Sequence, residues 1–195
     1  ISGHEKAVKH IMKEEFLNLL RSTQREGMED LIKFLENTDF FKAPASTRFH
    51  GNFEGGLLQH SMKVYEILKE KLNYIPVPMN ISEDTIKIVA LLHDICKVNY
   101  YKVDYRNAKN DLGVWEKVPY YTVEDTIPYG HGEKSVMMIT EYMKLTVEEK
   151  YAIRWHMGLS EPKEVYGTLA VAFSKYPLAL MLFEADLEAT YLFDI

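Results

Sequence analysis

Cysteine is nearly absent. Cys96 is the only one in 195 residues, which excludes an internal disulfide framework and a four-cysteine zinc fold and suits a reducing cytoplasm. Long hydrophobic runs are missing too. No stretch approaches the ~20 apolar residues needed to cross a bilayer, and the opening ISGHEKAVKH has no apolar signal core, so no membrane role is expected. The first residue is not Met, and the opening Ile-Ser-Gly is assigned no function. There is no excess of positive charge. Lys plus Arg number 23 against 29 Asp plus Glu, a net charge of −6, which argues against a broadly basic surface that coats nucleic acid and leaves a local basic groove open. Internal repeats and low-complexity tracts are also lacking. What remains is ordinary globular composition, 47% hydrophobic and 27% charged. A chain this long buries a sizeable core without staples, so residues 1–195 are read as one domain, with 1–45 as a helical N-terminal extension.

The apolar spacing is mostly helical. Val8, Ile11, Met12, Phe16, Leu19 and Leu20 form a stripe over 5–21, and Met28, Leu31, Ile32 and Leu35 form another over 27–37. Pro44, Ser46, Thr47 and Gly51 mark 37–53 as loop. A helix follows Gly55-Gly56 to about Leu72, and Pro76 and Pro78 break the chain after it. Ser82, Glu83 and Asp84 start a helix predicted to reach Lys97. Residues 99–130 change character: many tyrosines, Gly113 and Pro119 predict a hairpin of Tyr100–Tyr105 against Val118–Val123. Helices are then predicted over 132–143, over 146–157 behind a Thr146/Glu149 capping box, and over 177–191 behind Pro177. The expected class is all-α: about seven helices and one small β excursion.

Histidine placement carries the chemical information. His4 and His10 lie on the polar-leaning first helix and read as solvated. Others interrupt apolar segments: His60 in GGLLQHS, His93 in IVALLHDIC, His131 in PYGHGEK and His156 in AIRWHMG, with Asp186 in ALMLFEADLEA. His60 shares a helical face with Leu57 and Val64, His93 with Ile86, Val89 and Ala90, and Asp186 with Ala179, Leu182 and Ala189. Each therefore points along an apolar stripe toward the core. Singly, each has a plainer reading. A lone inward histidine is more often a hydrogen-bonded core residue than a ligand. His131 between two glycines fits a helix cap, His156 a helix C-terminal charge, and Asp186 a core acid paired with Arg154. Together they would leave five unexplained polar intrusions in one core, whereas a shared cation would offset the desolvation of all of them.

The order His, His-Asp, His, His, Asp on a helical chain resembles the HD superfamily of metal-dependent phosphohydrolases. The pieces that carry it are GGLLQHS, LLHDICK, YGHGEKS, RWHMG and FEADLEA, from about His50 to the end. HGNFEGGLLQH and RWHMG look most like the HD domain of bacterial 3′-to-5′ exoribonucleases. The oligonucleotide-binding barrel ahead of that domain has no counterpart here, because residues 1–45 read as helical. By this resemblance His60, His93, Asp94 and Asp186 hold one metal, and His131 and His156 hold a second bridged by Asp94. One or two divalent ions are implied. A mixed imidazole and carboxylate set suits Fe, Mn, Co, Ni or Zn better than Ca. The implied reaction is attack of metal-bound hydroxide on a phosphoester, with a phosphorylated small molecule, a nucleotide or a short single-stranded nucleic acid as substrate.

Three further positions keep two readings each. Lys97, four after His93, fits either a phosphate contact or a lysine at a helix C-terminus. His50 fits either a proton donor to the leaving group or an exposed loop residue. Arg106 and Lys109, with Lys117 among Tyr101, Tyr105, Trp115, Tyr120 and Tyr121, fit either a grip on phosphate and base or a surface hairpin packed on the helical body. Glu54 and Glu133 are possible outer partners of the site, and Phe40-Phe41 and Leu178–Phe183 read as packing. Two rival functions share the ligand pattern: a di-iron oxygenase of the inositol-oxygenase type and a non-catalytic nucleotide-sensing module.

Overall fold

The computed structural model describes residues 2–75 and 79–193; the break expected at Pro76 and Pro78 lies outside them. Helix α1 (Gly3–Ser22) opens on a capping box: the Ser2 hydroxyl accepts from the Glu5 amide at 3.2 Å, and the Glu5 carboxylate accepts from the Ser2 amide at 2.8 Å. It buries Phe16, Leu17 and Leu20, and α2 (Met28–Glu36) adds Met28, Leu31, Ile32 and Leu35. Helix α3 (Gly56–Tyr74) follows the 37–55 loop. Helix α4 (Glu83–Leu92) starts on Ser82, whose hydroxyl accepts from the Thr85 amide. Every α4 residue from Thr85 to Leu92 except Lys87 is buried, as suits a helix enclosed on all sides, and α1, α3 and α6 pack around it.

After the hairpin come α5 (His131–Thr140), α6 (Val147–Arg154), α7 (Tyr166–Lys175) and α8 (Pro177–Glu188), the last continued by a π-turn over Ala189–Phe193. Helix α8 packs against α3, α6 and α7. The all-α expectation holds, with eight α-helices among the described residues instead of about seven. The extra one is α7. Only Leu169 and Ala172 of it are buried, which is too short a stripe to register as a helix from spacing. Three predicted helices stop early, α4 at Leu92 rather than Lys97, α5 at Thr140 rather than Met143 and α6 at Arg154 rather than Met157. No single helix among the described residues is long and apolar enough to cross a membrane.

The hairpin pairs β1 (Tyr101–Lys109) with β2 (Trp115–Val123) antiparallel, in the register Tyr101↔Val123 to Lys109↔Trp115. It therefore runs farther than the predicted pair. The Asn110 side chain accepts from the amides of Leu112 and Val114, both at 3.0 Å, and closes a turn that lets Asn107 to Lys109 stay paired. Both strands are edges, so Pro119 is tolerated.

Two close approaches set the helices around the site. A Cβ on Gly56 would collide with the Gly51 carbonyl, so the loop can fold back onto the start of α3 only with glycine there. A Cβ on Gly132 would strike the Arg154 carbonyl, which brings α5 against the end of α6. A buried ion pair ties the N-terminal segment to this core. Arg25 donates to Glu149 through two bonds of 2.9 and 2.8 Å, and the fully buried Glu149 also accepts from the Thr85 hydroxyl at 3.0 Å and the Thr146 amide at 2.9 Å. Burial pushes the Glu149 carboxyl up, but these donors outweigh it and hold it below its ordinary value.

Candidate metal centre

Helices α3, α4 and α8 bring His60, His93 and Asp186 to one point. One ligand atom from each lies within 4.8 Å of the other two, a set able to hold a metal ion. His60 Nε2 is 2.8 Å from Asp186 Oδ1 and 3.7 Å from Asp94 Oδ2. His93 Nε2 is 3.4 Å from Asp94 Oδ2 and 3.9 Å from Asp186 Oδ1. His156, two residues past α6, places Nε2 3.2 Å from Asp94 Oδ1. The three imidazoles are fully buried, and Asp94 is 3% exposed. In an unbroken helix neighbouring side chains diverge by about 100°. Here α4 ends at Leu92, Asp94 turns to φ −104° and ψ 18°, and a 3₁₀ turn follows over Ile95–Lys97. That break aims both His93 and Asp94 at the same place.

The tautomers decide what the site can do. His93 Nδ1 lies 2.7 Å from the Ala90 carbonyl, and His156 Nδ1 lies 2.7 Å from the Ile153 carbonyl. A carbonyl only accepts, so both Nδ1 atoms carry the hydrogen, and in the neutral rings both Nε2 atoms are bare lone pairs. Neither Nε2 has a hydrogen bond among the described residues. Both face oxygens of the Asp94 carboxylate, which are lone pairs as well. Lone pairs facing each other in a dry core require a positive charge between them, either a proton or a cation. Metal-ligating histidines are oriented in this way, by the other ring nitrogen donating to a backbone carbonyl. The residues therefore fit a divalent cation.

Lys97 completes the electrostatics. Its Nζ donates to Asp94 Oδ2 at 2.9 Å and to the Ala45 carbonyl at 2.8 Å. Burial opposes the charge on each partner. Even so, Lys97 and His93 hold the Asp94 carboxyl well below the usual carboxylate range, and Asp94 in turn raises Lys97. Burial also works against Asp186, but the hydrogen bond with His60 brings it down to about 2. Burial lowers His50, helped by His60 and Lys97, so its imidazole is neutral at pH 7. Burial likewise lowers His131.

His50 stacks 5.0 Å from His60 and shares a cavity of about 530 Å³ with Asp94, Lys97, His156 and Asp186. His131, first in α5, sets Nδ1 3.4 Å from Cys96 Sγ, and burial pushes that thiol up to about 12. Arg106 sits over the Tyr120 ring in a second cavity beside the hairpin. Lys109 stacks on Trp115 near the hairpin tip and lines neither cavity. Arg154 does not pair with Asp186; it binds Glu133 at 2.7 Å and Glu161 at 2.8 Å. Phe183, read as packing, also lines the first cavity with Phe49, Leu187 and Tyr191. Phe49, Arg48 and Ala45 gave no warning, because a loop has no periodicity to read.

The fold and the site define an all-helical domain whose buried core can hold a divalent cation. A family model, the HD domain, matches residues 57–190, and the chain belongs to the HD domain family, a superfamily of metal-dependent phosphohydrolases. That match does not extend to the exoribonuclease branch. Comparison with curated proteins and with solved structures gives no match.

Proposed function

We propose that the chain is a metal-dependent phosphohydrolase acting on a nucleotide or on the end of a short nucleic-acid strand. The observation that carries the reading is the pair of bare Nε2 atoms, on His93 and His156, facing the two Asp94 oxygens. His60, His93, Asp94 and Asp186 would hold one divalent ion, and His131 and His156 with Asp94 a second. Such an ion supplies Lewis acidity to a phosphoryl oxygen and lowers the pKa of bound water from about 16 to about 7.

The chain's own residues do the rest. Lys97 has three donor hydrogens, two of them committed to Asp94 and Ala45, which leaves one for a phosphoryl oxygen. Its buried charge offsets the anion without a counter-ion from solvent. The neutral His50 imidazole stands on the cavity wall, where it can hold or relay a proton at the departing alcohol oxygen. Phe49, Phe183, Leu187 and Tyr191 form an apolar side of the cavity that suits a flat, weakly polar leaving group.

The test is a panel of phosphomonoesters and phosphodiesters with Mn, Co, Ni or Fe(II), comparing wild type with Asp94→Ala. Hydrolysis lost in the variant is expected; equal hydrolysis in both overturns the reading. Iron-dependent oxygen consumption with a polyol and no phosphate release would place the chain with the oxygenases. Less than one equivalent of metal after reconstitution would make it a sensing module.

A further inference from the structure

The loop from Pro44 to Phe53 is a wall between two cavities. Phe49 and His50 face the cavity that holds Asp94 and Lys97. Thr47, Arg48 and Asn52 face the other, about 700 Å³, whose far side is Val103, Arg106, Pro119, Tyr120 and Tyr121 of the hairpin. The loop is tied on both sides. The Ser46 hydroxyl donates to the His50 carbonyl at 2.7 Å and accepts from the Phe49 amide at 2.9 Å. The Ala45 amide donates to Gly51. The Ala45 carbonyl accepts from Lys97 at the metal centre and from the Tyr101 hydroxyl at 2.9 Å, and the Tyr101 ring packs 6.4 Å from Tyr121 in the second cavity.

The chemistry of the second cavity is distinct from that of a packing void. Arg48 and Arg106 are both exposed guanidinium groups, and neither forms an ion pair among the described residues. Guanidinium forks match phosphate oxygens in pairs. Arg106 lies 5.5 Å from the Tyr120 centroid, and Tyr121, half-buried on the other face of the ribbon, lines the same cavity. That combination grips single strands, phosphate by phosphate and base by base. Arg48 and His50 are two residues apart, at most about 7–8 Å along the backbone, so one flexible chain can touch both sides of the wall.

We propose that the Arg48/Arg106/Tyr121 groove is a distal subsite for a single-stranded phosphodiester chain, which holds the second and later nucleotides while the terminal phosphoester lies at Asp94. The proposal rests on the phosphohydrolase reading for what happens at the chain end, and its binding arm stands apart from that reading. The probe is a fluorescein-labelled hexanucleotide, in ribose and deoxyribose forms, titrated with metal-loaded wild type and with the Arg48→Gln/Arg106→Gln and Tyr121→Leu variants. Melting curves check that each variant folds.

The double variant is expected to bind at least tenfold more weakly. Its slope of log affinity against log salt should fall by about 1.4, at about 0.7 per lost phosphate contact. Tyr121→Leu should weaken binding with the salt slope unchanged. The ratio of kcat/KM for the hexamer to that for a mononucleotide should fall tenfold in the double variant. Equal binding by all forms, or no binding by wild type, overturns the subsite. Hexamer binding that the arginine change abolishes, with no hydrolysis of any phosphoester, upholds the subsite and overturns the hydrolase reading. A tenfold preference for the ribose form would identify RNA as the strand.

Discussion

Metal should be worth several degrees of melting temperature to this chain, and the size follows from two atoms. His93 Nε2 and His156 Nε2 are buried without hydrogen bonds among the described residues, and each faces an Asp94 oxygen. Leaving a buried polar group unsatisfied costs about 1–3 kcal/mol; burial opposes a proton on His156, but a bond to Asp94 and its charge raise that imidazole, so without metal a proton answers part of this cost. An ion at 100 times its dissociation constant returns about 2.7 kcal/mol. For a chain of this size each kcal/mol moves Tm by about 2–4 °C, so stripped protein should gain about 5–11 °C on saturation. The assay is thermal melting of chelator-treated protein titrated with Mn, Co, Ni or Zn. His93→Leu is the informative variant. It removes one bare nitrogen together with the bond to Ala90, terms of opposite sign, so the metal-free stability should stay within about 2 kcal/mol of wild type while the response to metal disappears. A flat Tm in wild type with every metal, or a loss beyond about 3 kcal/mol in metal-free His93→Leu, would refute the reasoning, since a satisfied core histidine behaves that way.

Other outcomes follow from features away from the centre. Arg25→Ala should destabilise by about 3–5 kcal/mol in urea melts, because it strands the buried Glu149 charge. Glu149 titrates below its ordinary value when folded, so it binds protons more weakly folded than unfolded. Its contribution is therefore complete above that ordinary value and is lost as pH falls through the depressed one; wild type should lose stability more steeply than Glu149→Gln over that acid range. Gly132→Ala must push α5 off the Arg154 carbonyl, at about 1–3 kcal/mol, and should weaken metal retention as His131 moves with its helix. Lys97→Met should lower the metal-free Tm more than the metal-loaded Tm, since an ion replaces the lost positive charge beside Asp94.

Much of the helical frame was legible from spacing alone. Stripes such as Phe16/Leu20 and Leu31/Leu35 are long enough to fix a period, and Ser82 and Thr146 mark helix starts through their own side chains. Helix α7 was not legible, because tertiary packing around Leu169 and Ala172 sustains it rather than an apolar face of its own. The end of α4 was missed for a related reason. Nothing apolar changes at Leu92, and what stops the helix is the turn that His93 and Asp94 make toward the centre. At the site, pattern reading found polar residues on apolar faces, which is a statement about single helices. It could not find Ala45 or Phe49, whose positions depend on how one loop crosses the mouth, nor pair Arg48 with Arg106 across 58 residues of sequence.

The two Nδ1 bonds have an effect that reaches past the centre. The Ala90 and Ile153 carbonyls belong to the last turns of α4 and α6, and Ile153 also accepts from the Trp155 and His156 amides. Each is answered by an imidazole three residues on, so the bond that finishes the helix is also the bond that aims the ring. Losing the cation should thus loosen the closing turns of two core helices, and faster amide exchange at those ends would report an empty centre before any substrate was added.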